Sequence, residues 1–177
     1  MDKITLVFKN SPEKPKYTEF TNLLFDLECL YYAVYIISER EKSIPQPYRR
    51  YFYRRRSLRI KLAEETNLLL SYIHYSSPLQ ISWEVFVCAS AFVLILTAIS
   101  SFYNDILLAK DKHEIRAILI QKKEKKEISK DEFELLERLL REEPAGPTIL
   151  KRISESLKIF GPPTVKLKRT NDDSDNE

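Results

Sequence analysis

Residues 48–56 concentrate the side chains with the most evident binding chemistry, because this segment contains five arginines and four aromatic rings. A guanidinium can donate two parallel hydrogen bonds to a phosphate, and an aromatic ring can stack on a base. The same mixture suits an anionic lipid surface, or a solvated loop whose rings cover a sheet edge. The candidate phosphate-binding residues are Arg49, Arg50, Arg54, Arg55 and Arg56, and the candidate stacking residues are Tyr48, Tyr51 and Tyr53.

Residues that could carry catalysis or hold a metal are few and widely spaced. The chain has two cysteines and two histidines, Cys29, Cys88, His74 and His113. No two of them have the spacing of a zinc-binding pair. The adjacent Glu64 and Glu65 lie on a predicted turn, where neighbouring carboxylates seldom converge as acid–base catalysis requires. We therefore predict no catalytic residue, no metal and no cofactor.

Glycine is scarce, with only Gly146 and Gly161 among 177 residues. The sequence therefore lacks the G-x-G-x-x-G, phosphate-loop and G-x-S-x-G motifs, which need glycine where backbone meets a phosphate or turns sharply. This absence excludes most nucleotide-cofactor enzymes. We expect a non-enzymatic protein that binds its partners through side-chain surfaces.

Charge is distributed in blocks that the formal net charge of +3 conceals. Residues 49–61 carry +7 and no acid, whereas residues 62–109 carry −4 and no Lys or Arg. The C-terminal segment 170–177 carries −4. A basic block beside aromatic rings favours an anionic partner.

The N-terminal part of the chain, residues 1–77, has the periodicity of a small βαββ unit. Alternation predicts a strand at 3–9, and apolar residues at helical spacing predict a helix at 18–38. Alternating segments at 58–64 and 68–75 predict a β-hairpin, with Ser76-Ser-Pro78 ending it.

The segment 85–103 has no charge, proline or glycine. Its length just spans the hydrocarbon core of a bilayer, so we predict a transmembrane helix. The alternatives are a buried central helix or a seam between copies of the chain. Ser90, Thr97 and Ser101 recur on one predicted helix face, which suits self-association. Lysines after this segment and the arginines before it favour opposite orientations in a membrane, so the orientation stays open.

The C-terminal part is predicted to be helical, with one sharply defined helix start. A helix is expected at 105–126, and Ser129-Lys-Asp-Glu132 is a capping box flanked by Ile128 and Phe133. The string 128–133, with Leu139-Leu140 beyond it, resembles the second helix of short C-terminal helical-hairpin modules in bacterial proteins. Those modules place a glycine where this chain has Glu127, so we assign no family. A last helix is predicted at about 148–160.

Together these patterns predict an α+β protein with four parts: a small unit at 1–77, an apolar helix segment at 78–104, charged helices at 105–160 and a disordered tail at 161–177. The preferred function is a membrane-tethered binding protein, single-pass and self-associating, with its soluble parts in the cytosol. Its expected partners are the membrane, a second copy and a protein bound by the C-terminal helices. The alternative is a soluble oligomeric protein that binds RNA or DNA through 48–56.

Overall fold

Four strands and five helices make up the part of the chain that the computed structural model describes, residues 2–40, 69–74, 78–85, 87–142 and 148–169. The strands form one antiparallel sheet, which confirms the α+β class. In chain order the elements are β1 Asp2–Phe8, α1 Tyr17–Arg40, β2 Leu69–His74, β3 Leu79–Val85, α2 Ala89–Leu108, α3 Lys112–Glu124, α4 Lys130–Glu142, α5 Ile149–Phe160 and β4 Thr164–Lys168.

The sheet has the strand order β2-β3-β1-β4, so the first strand of the chain lies inside it. Successive side chains of a strand point to opposite faces. Ile4, Leu6 and Phe8 of β1 are therefore buried on one face together with Ile81 and Trp83 of β3. This core face packs against α1, α2 and α5.

Helix α1 confirms the helix predicted at 18–38 and is central to the core. Apolar side chains are buried on nearly every side of it, among them Leu23, Leu27, Leu30 and Ile37. It packs against the sheet and against α2, α4 and α5. Because α1 has neighbours on several sides, its apolar surface is much wider than a single stripe.

β2 confirms the strand predicted at 68–75, and its predicted pairing with 58–64 stays a prediction. Residues 58–64 lie outside the described residues, and β2 pairs with β3 across the segment that contains Pro78. β3 occupies residues predicted to belong to the apolar helix segment 78–104. Its sequence, Leu79 to Val85, alternates apolar and polar residues, and that period of two is the signal for a half-buried strand.

The apolar helix α2 therefore begins later and ends later than the predicted 85–103. Cys88 precedes it with a positive φ of 49° and supplies no side-chain cap. α2 ends at Leu108, and Asp111 starts α3 by accepting hydrogen bonds from the backbone N–H groups of His113 and Glu114. The single helix expected at 105–126 is thus two helices with a break at 109–111.

The capping box predicted at Ser129 is confirmed by two reciprocal hydrogen bonds. The N–H of Ser129 donates to Glu132 Oε2 at 2.5 Å, and the N–H of Glu132 donates to Ser129 Oγ at 3.1 Å. The flanking Ile128 and Phe133 are both buried. Helix α5 confirms the helix expected at 148–160 and is capped by Thr148, whose Oγ1 accepts from the N–H of Lys151 at 3.0 Å.

The segment expected to be a disordered tail contributes a strand to the sheet. Residues 164–168 form β4, which pairs with β1 in a register that places Val165 opposite Leu6 and Leu167 opposite Ile4. Gly161 makes the connection from α5 possible. Its φ is +76°, and a Cβ there would lie 3.1 Å from Asn10 Cβ. Residues 170–177 of the predicted tail lie outside the described residues.

Candidate functional site

The predicted phosphate-binding and stacking residues, Arg49, Arg50, Arg54, Arg55, Arg56, Tyr48, Tyr51 and Tyr53, all lie outside the described residues. Their segment belongs to the connection between α1 and β2, which is the last strand on its side of the sheet among the described residues.

The three residues predicted for self-association are exposed on α2. Ser90, Thr97 and Ser101 lie away from the face that α2 buries. Ser101 Oγ donates to the carbonyl of Ala98 at 2.7 Å, and Ser90 Oγ lies 3.4 Å from a guanidinium nitrogen of Arg169. The structure therefore brings the three hydroxyls to one accessible surface, and self-association along it stays a prediction.

The sheet surface opposite the core, here called the outer face, consists of three rows of side chains. They are Tyr72, Ser82, Thr5 and Lys166 from β2 to β4; His74, Gln80, Val7 and Thr164 from β2 to β4; and Glu84, Lys3 and Lys168 from β3 to β4. The strand register alone sets these rows, because residues two apart on a strand share a face.

A basic edge forms where β1 meets β4 on the outer face. Lys3 lies directly opposite Lys168, and Lys166 is two residues away on the same side of β4. All three side chains are exposed, as is the following Arg169. Like charges placed opposite each other destabilise a strand pair, so this edge favours an anion. Glu84, opposite Lys3 on the other side, supplies one negative charge.

An aromatic edge forms on β2, at the other side of the outer face. The rings of Tyr72 and His74 are parallel within 5°, and their centroids are 6.3 Å apart. Tyr72 is 48% exposed, which is high for a tyrosine in a sheet. An exposed ring held by a strand is a surface on which another planar group can stack.

Small polar groups form the floor between the two edges. The hydroxyls of Thr5 and Ser82 are hydrogen-bonded at 2.9 Å, and Ser82 is only 3% exposed although it lies on the outer face. Both side chains are short, so the floor lies lower than the lysines and the tyrosine beside it. Such a surface can accept a flat or extended ligand that contacts both edges.

A second polar cluster lies in the interior, between α1 and α5. Arg152 Nε is 3.2 Å from Asp26 Oδ1, Ser156 Oγ donates to Asp26 Oδ2 at 3.5 Å, and the guanidinium lies 5.7 Å from the centre of the Phe25 ring. Burial raises the pKa of the nearby Cys29 thiol from 9.0 to about 12, although Arg152 opposes that shift. A thiol in this state is a poor nucleophile. We interpret the cluster as the contact that positions α5 on α1.

A shallow groove of about 180 Å³ lies between α3 and α4. Arg116 reaches across it and donates to Glu137 Oε1 at 2.6 Å and 3.1 Å, and Lys112 Nζ donates to the carbonyl of Arg141 at 3.1 Å. These contacts join the two helices. Arg116 and Lys112 are therefore already engaged by α4.

In the part of the chain that the structure describes, two helices are long enough and apolar enough to cross a membrane by length and composition, Tyr17–Ser38 and Ala89–Leu108. A core helix of a soluble protein meets the same criterion. Within the most apolar stretch of each, 72% of the residues of α1 and 39% of those of α2 are buried inside the fold.

The sequence patterns did not predict the outer face, although the alternation of two of its strands is present in the sequence. Thr164-Val-Lys-Leu-Lys168 alternates polar and apolar residues, as does β3. The prediction of a disordered tail at 161–177 is therefore wrong for residues 164–168, which form β4. Uninterrupted alternation would place Tyr72 on the core face with Leu70, and the bulge between these two residues moves Tyr72 to the outer face.

Among the described ranges, no group of three or more His, Cys, Asp or Glu side chains could hold a metal ion. Comparison with protein-family models, curated proteins and solved structures finds no match to this chain.

Proposed function

We propose that this protein is a non-enzymatic binding protein that takes single-stranded RNA or DNA on the outer face of its sheet. The observation that carries the proposal is the presence of an exposed stacking ring, Tyr72, and a three-lysine edge on the same face of the sheet. Phosphates attract ammonium groups, and bases stack on aromatic rings.

The spacing of the two edges supports an extended ligand. β2 and β4 are three strand intervals apart in the sheet, which corresponds to about 14 Å at roughly 4.8 Å per interval. A single strand that stacks one base on Tyr72 can cross the floor and bring phosphates to Lys166 and Lys3. Single-stranded nucleic acid is favoured over a duplex because its unstacked bases are available to a ring.

The segment 48–56 extends this proposal. It lies shortly before Leu69, the first residue of β2, which carries Tyr72. Five arginines tethered this close can add phosphate contacts to those of the basic edge. We therefore propose that the segment and the outer face bind the same strand.

Fluorescence anisotropy with a labelled 12-nucleotide strand tests the proposal at low and moderate salt. We expect Tyr72→Ala to weaken binding by roughly 5- to 100-fold, as the loss of one stacked base would. Lys166→Gln should weaken binding and reduce the dependence of log affinity on log salt by about 0.7. The matched controls are Tyr17→Ala, an exposed tyrosine of α1, and Lys158→Gln, an exposed lysine of α5.

A lack of binding at low salt would overturn the proposal, as would equal losses in the outer-face variants and the matched controls. Both outcomes are measurable with the full chain, so no separate fragment is needed.

A membrane-tethered binding protein is the second candidate, and the two apolar helices favour it. In this candidate α2 is a single-pass anchor that self-associates through Ser90, Thr97 and Ser101, and 48–56 binds lipid phosphates. It ranks second because α2 buries eight side chains in the same core as α1 and the sheet. Fractionation without detergent separates the candidates, since a tethered protein cannot stay in the high-speed supernatant.

A further inference from the structure

We propose that the acidic segment 170–177 of this chain competes with nucleic acid for the basic edge of the outer face. The inference rests on the proposed function, because it assigns a regulator to the same surface. The segment contains four acidic residues and no Lys or Arg: Asp172, Asp173, Asp175 and Glu177. Its negative charge and its attachment to β4 suit this segment to bind the basic edge.

Charge complementarity is the first argument. Lys166, Lys168 and Lys3 place three positive charges along β4 and the adjacent strand, and Glu84 offsets one of them. The segment supplies four negative charges. Exposed charges interact over a Debye length of about 8 Å at physiological salt, so the two sets attract when they come within that distance.

Reach is the second argument. Asp172 is three residues beyond Arg169 and Asp175 is six beyond it, so the extended chain spans about 10 and 20 Å respectively. Neighbouring strands of a sheet are only about 4.8 Å apart. Both carboxylates can therefore reach Lys3 as well as the lysines of β4.

Tethering is the third argument. A segment joined to its site by a few residues has an effective concentration on the order of millimolar, so even a weak contact is substantially occupied. Nucleic acid offers more charges and a base for Tyr72, so it displaces the segment when it binds. We expect the segment to weaken nucleic-acid binding by roughly three- to tenfold at low salt.

The test compares the full chain with a neutral-segment variant of the same length, Asp172→Asn, Asp173→Asn, Asp175→Asn and Glu177→Gln. A control variant makes the same change of net charge at exposed acids of the helices, Glu124→Gln, Asp131→Asn, Glu134→Gln and Glu155→Gln. Amide chemical shifts without nucleic acid report the contact itself. Anisotropy with a 12-nucleotide oligothymidine reports the competition.

We expect the neutral-segment variant alone to shift the amides of Lys3, Thr5 and Lys166. It should bind the oligonucleotide roughly three- to tenfold more tightly at about 50 mM salt, with the difference vanishing near 0.5 M. Unchanged shifts, or the same gain in affinity from the helix control, would overturn the inference. If the shifts change but neither protein binds nucleic acid, the proposed function fails and the contact of the segment stands.

Discussion

Helices α1 and α2 meet the same criterion of length and composition for crossing a membrane, yet the fold buries them to different extents. α1 is enclosed by the sheet, α2, α4 and α5, whereas α2 buries one face and leaves Thr97 and Leu108 exposed. An apolar run in the sequence therefore indicates how much surface could be buried. The elements around it decide what covers that surface.

The polar residues of the two helices differ in the same way. α1 buries a carboxylate, Asp26, and Arg152 of α5 supplies its counter-charge. α2 carries the hydroxyl groups of Ser90, Thr97 and Ser101 outward, and it buries the Oγ of Ser100 but no charged group. A buried charge without a partner is costly, so α1 depends on α5 for its place in the core. α2 depends on its apolar face.

The largest expected difference between the helices is in thiol reactivity. Cys29 of α1 is fully buried and has a pKa of about 12, whereas Cys88 at the start of α2 is partly exposed. At pH 8 the raised pKa alone makes the Cys29 thiolate about 1,000-fold scarcer than that of a thiol with a pKa of 9. Iodoacetamide labelling followed by peptide mass spectrometry should modify Cys88 much faster in the native protein. In guanidinium, which unfolds the protein, the labelling rates of Cys29 and Cys88 should converge. Equal labelling rates in the native protein would contradict the enclosed position of α1.

Removing the buried carboxylate of α1 should cause the largest loss of stability. Asp26→Asn leaves the guanidinium of Arg152 buried without its counter-ion, which costs about 3–5 kcal/mol. Urea unfolding followed by circular dichroism measures this loss, with the exposed Glu155→Gln of α5 as the control. The double variant Asp26→Leu with Arg152→Met should recover most of the stability, because it removes both charges. A loss as small as that of the control would show that the pair does not join α1 to α5.

On α2 the buried and the outward faces should respond differently to the same truncation. Ile95 is completely buried and Leu94, its neighbour, is half-buried. We expect Ile95→Ala to lower the free energy of unfolding by about 2–5 kcal/mol, and Leu94→Ala by about 1 kcal/mol or less. The same urea titration measures both variants. Equal losses would mean that α2 does not pack on the core through the face that contains Ile95.

The smallest expected effect comes from a charge on the outward face of α2. Thr97 is exposed near the middle of the helix, so Thr97→Arg should change the free energy of unfolding by no more than about 0.5 kcal/mol. In a membrane-spanning helix the same arginine would cost about 2.5–3.5 kcal/mol. Sedimentation of a detergent-free lysate gives a second measurement. A variant that misfolds or leaves the membrane fraction would favour the membrane-tethered candidate.

Local features of the sequence determined several elements correctly. The apolar positions of α1 recur at helical spacing, and Ser129 and Glu132 lie three residues apart, as a capping box requires. The alternation of β1 predicted both the strand and its buried face. All of these signals act over a few residues, so a single sequence contains them in full.

No comparable local signal predicts the boundary between β3 and α2. The strand ends in an apolar residue, Val85, and the helix begins in another, Ala89. Cys88 adopts the positive φ that glycine usually takes, so no glycine or proline marks the break. The continuous apolar segment 85–103 therefore contains no local signal that a strand ends and a helix begins within it.

The outer face was decided only by tertiary structure. It places Lys3 beside Lys168, although the two lie near opposite ends of the sequence, and it aligns Tyr72 with Ser82 and Thr5 in one row. The positions of basic, aromatic and apolar residues, and the short segments that form helices or strands, follow from local sequence. Pairing between distant strands depends on the free energy of the whole core. That pairing, which no local pattern encodes, brought the basic and aromatic edges to the same surface.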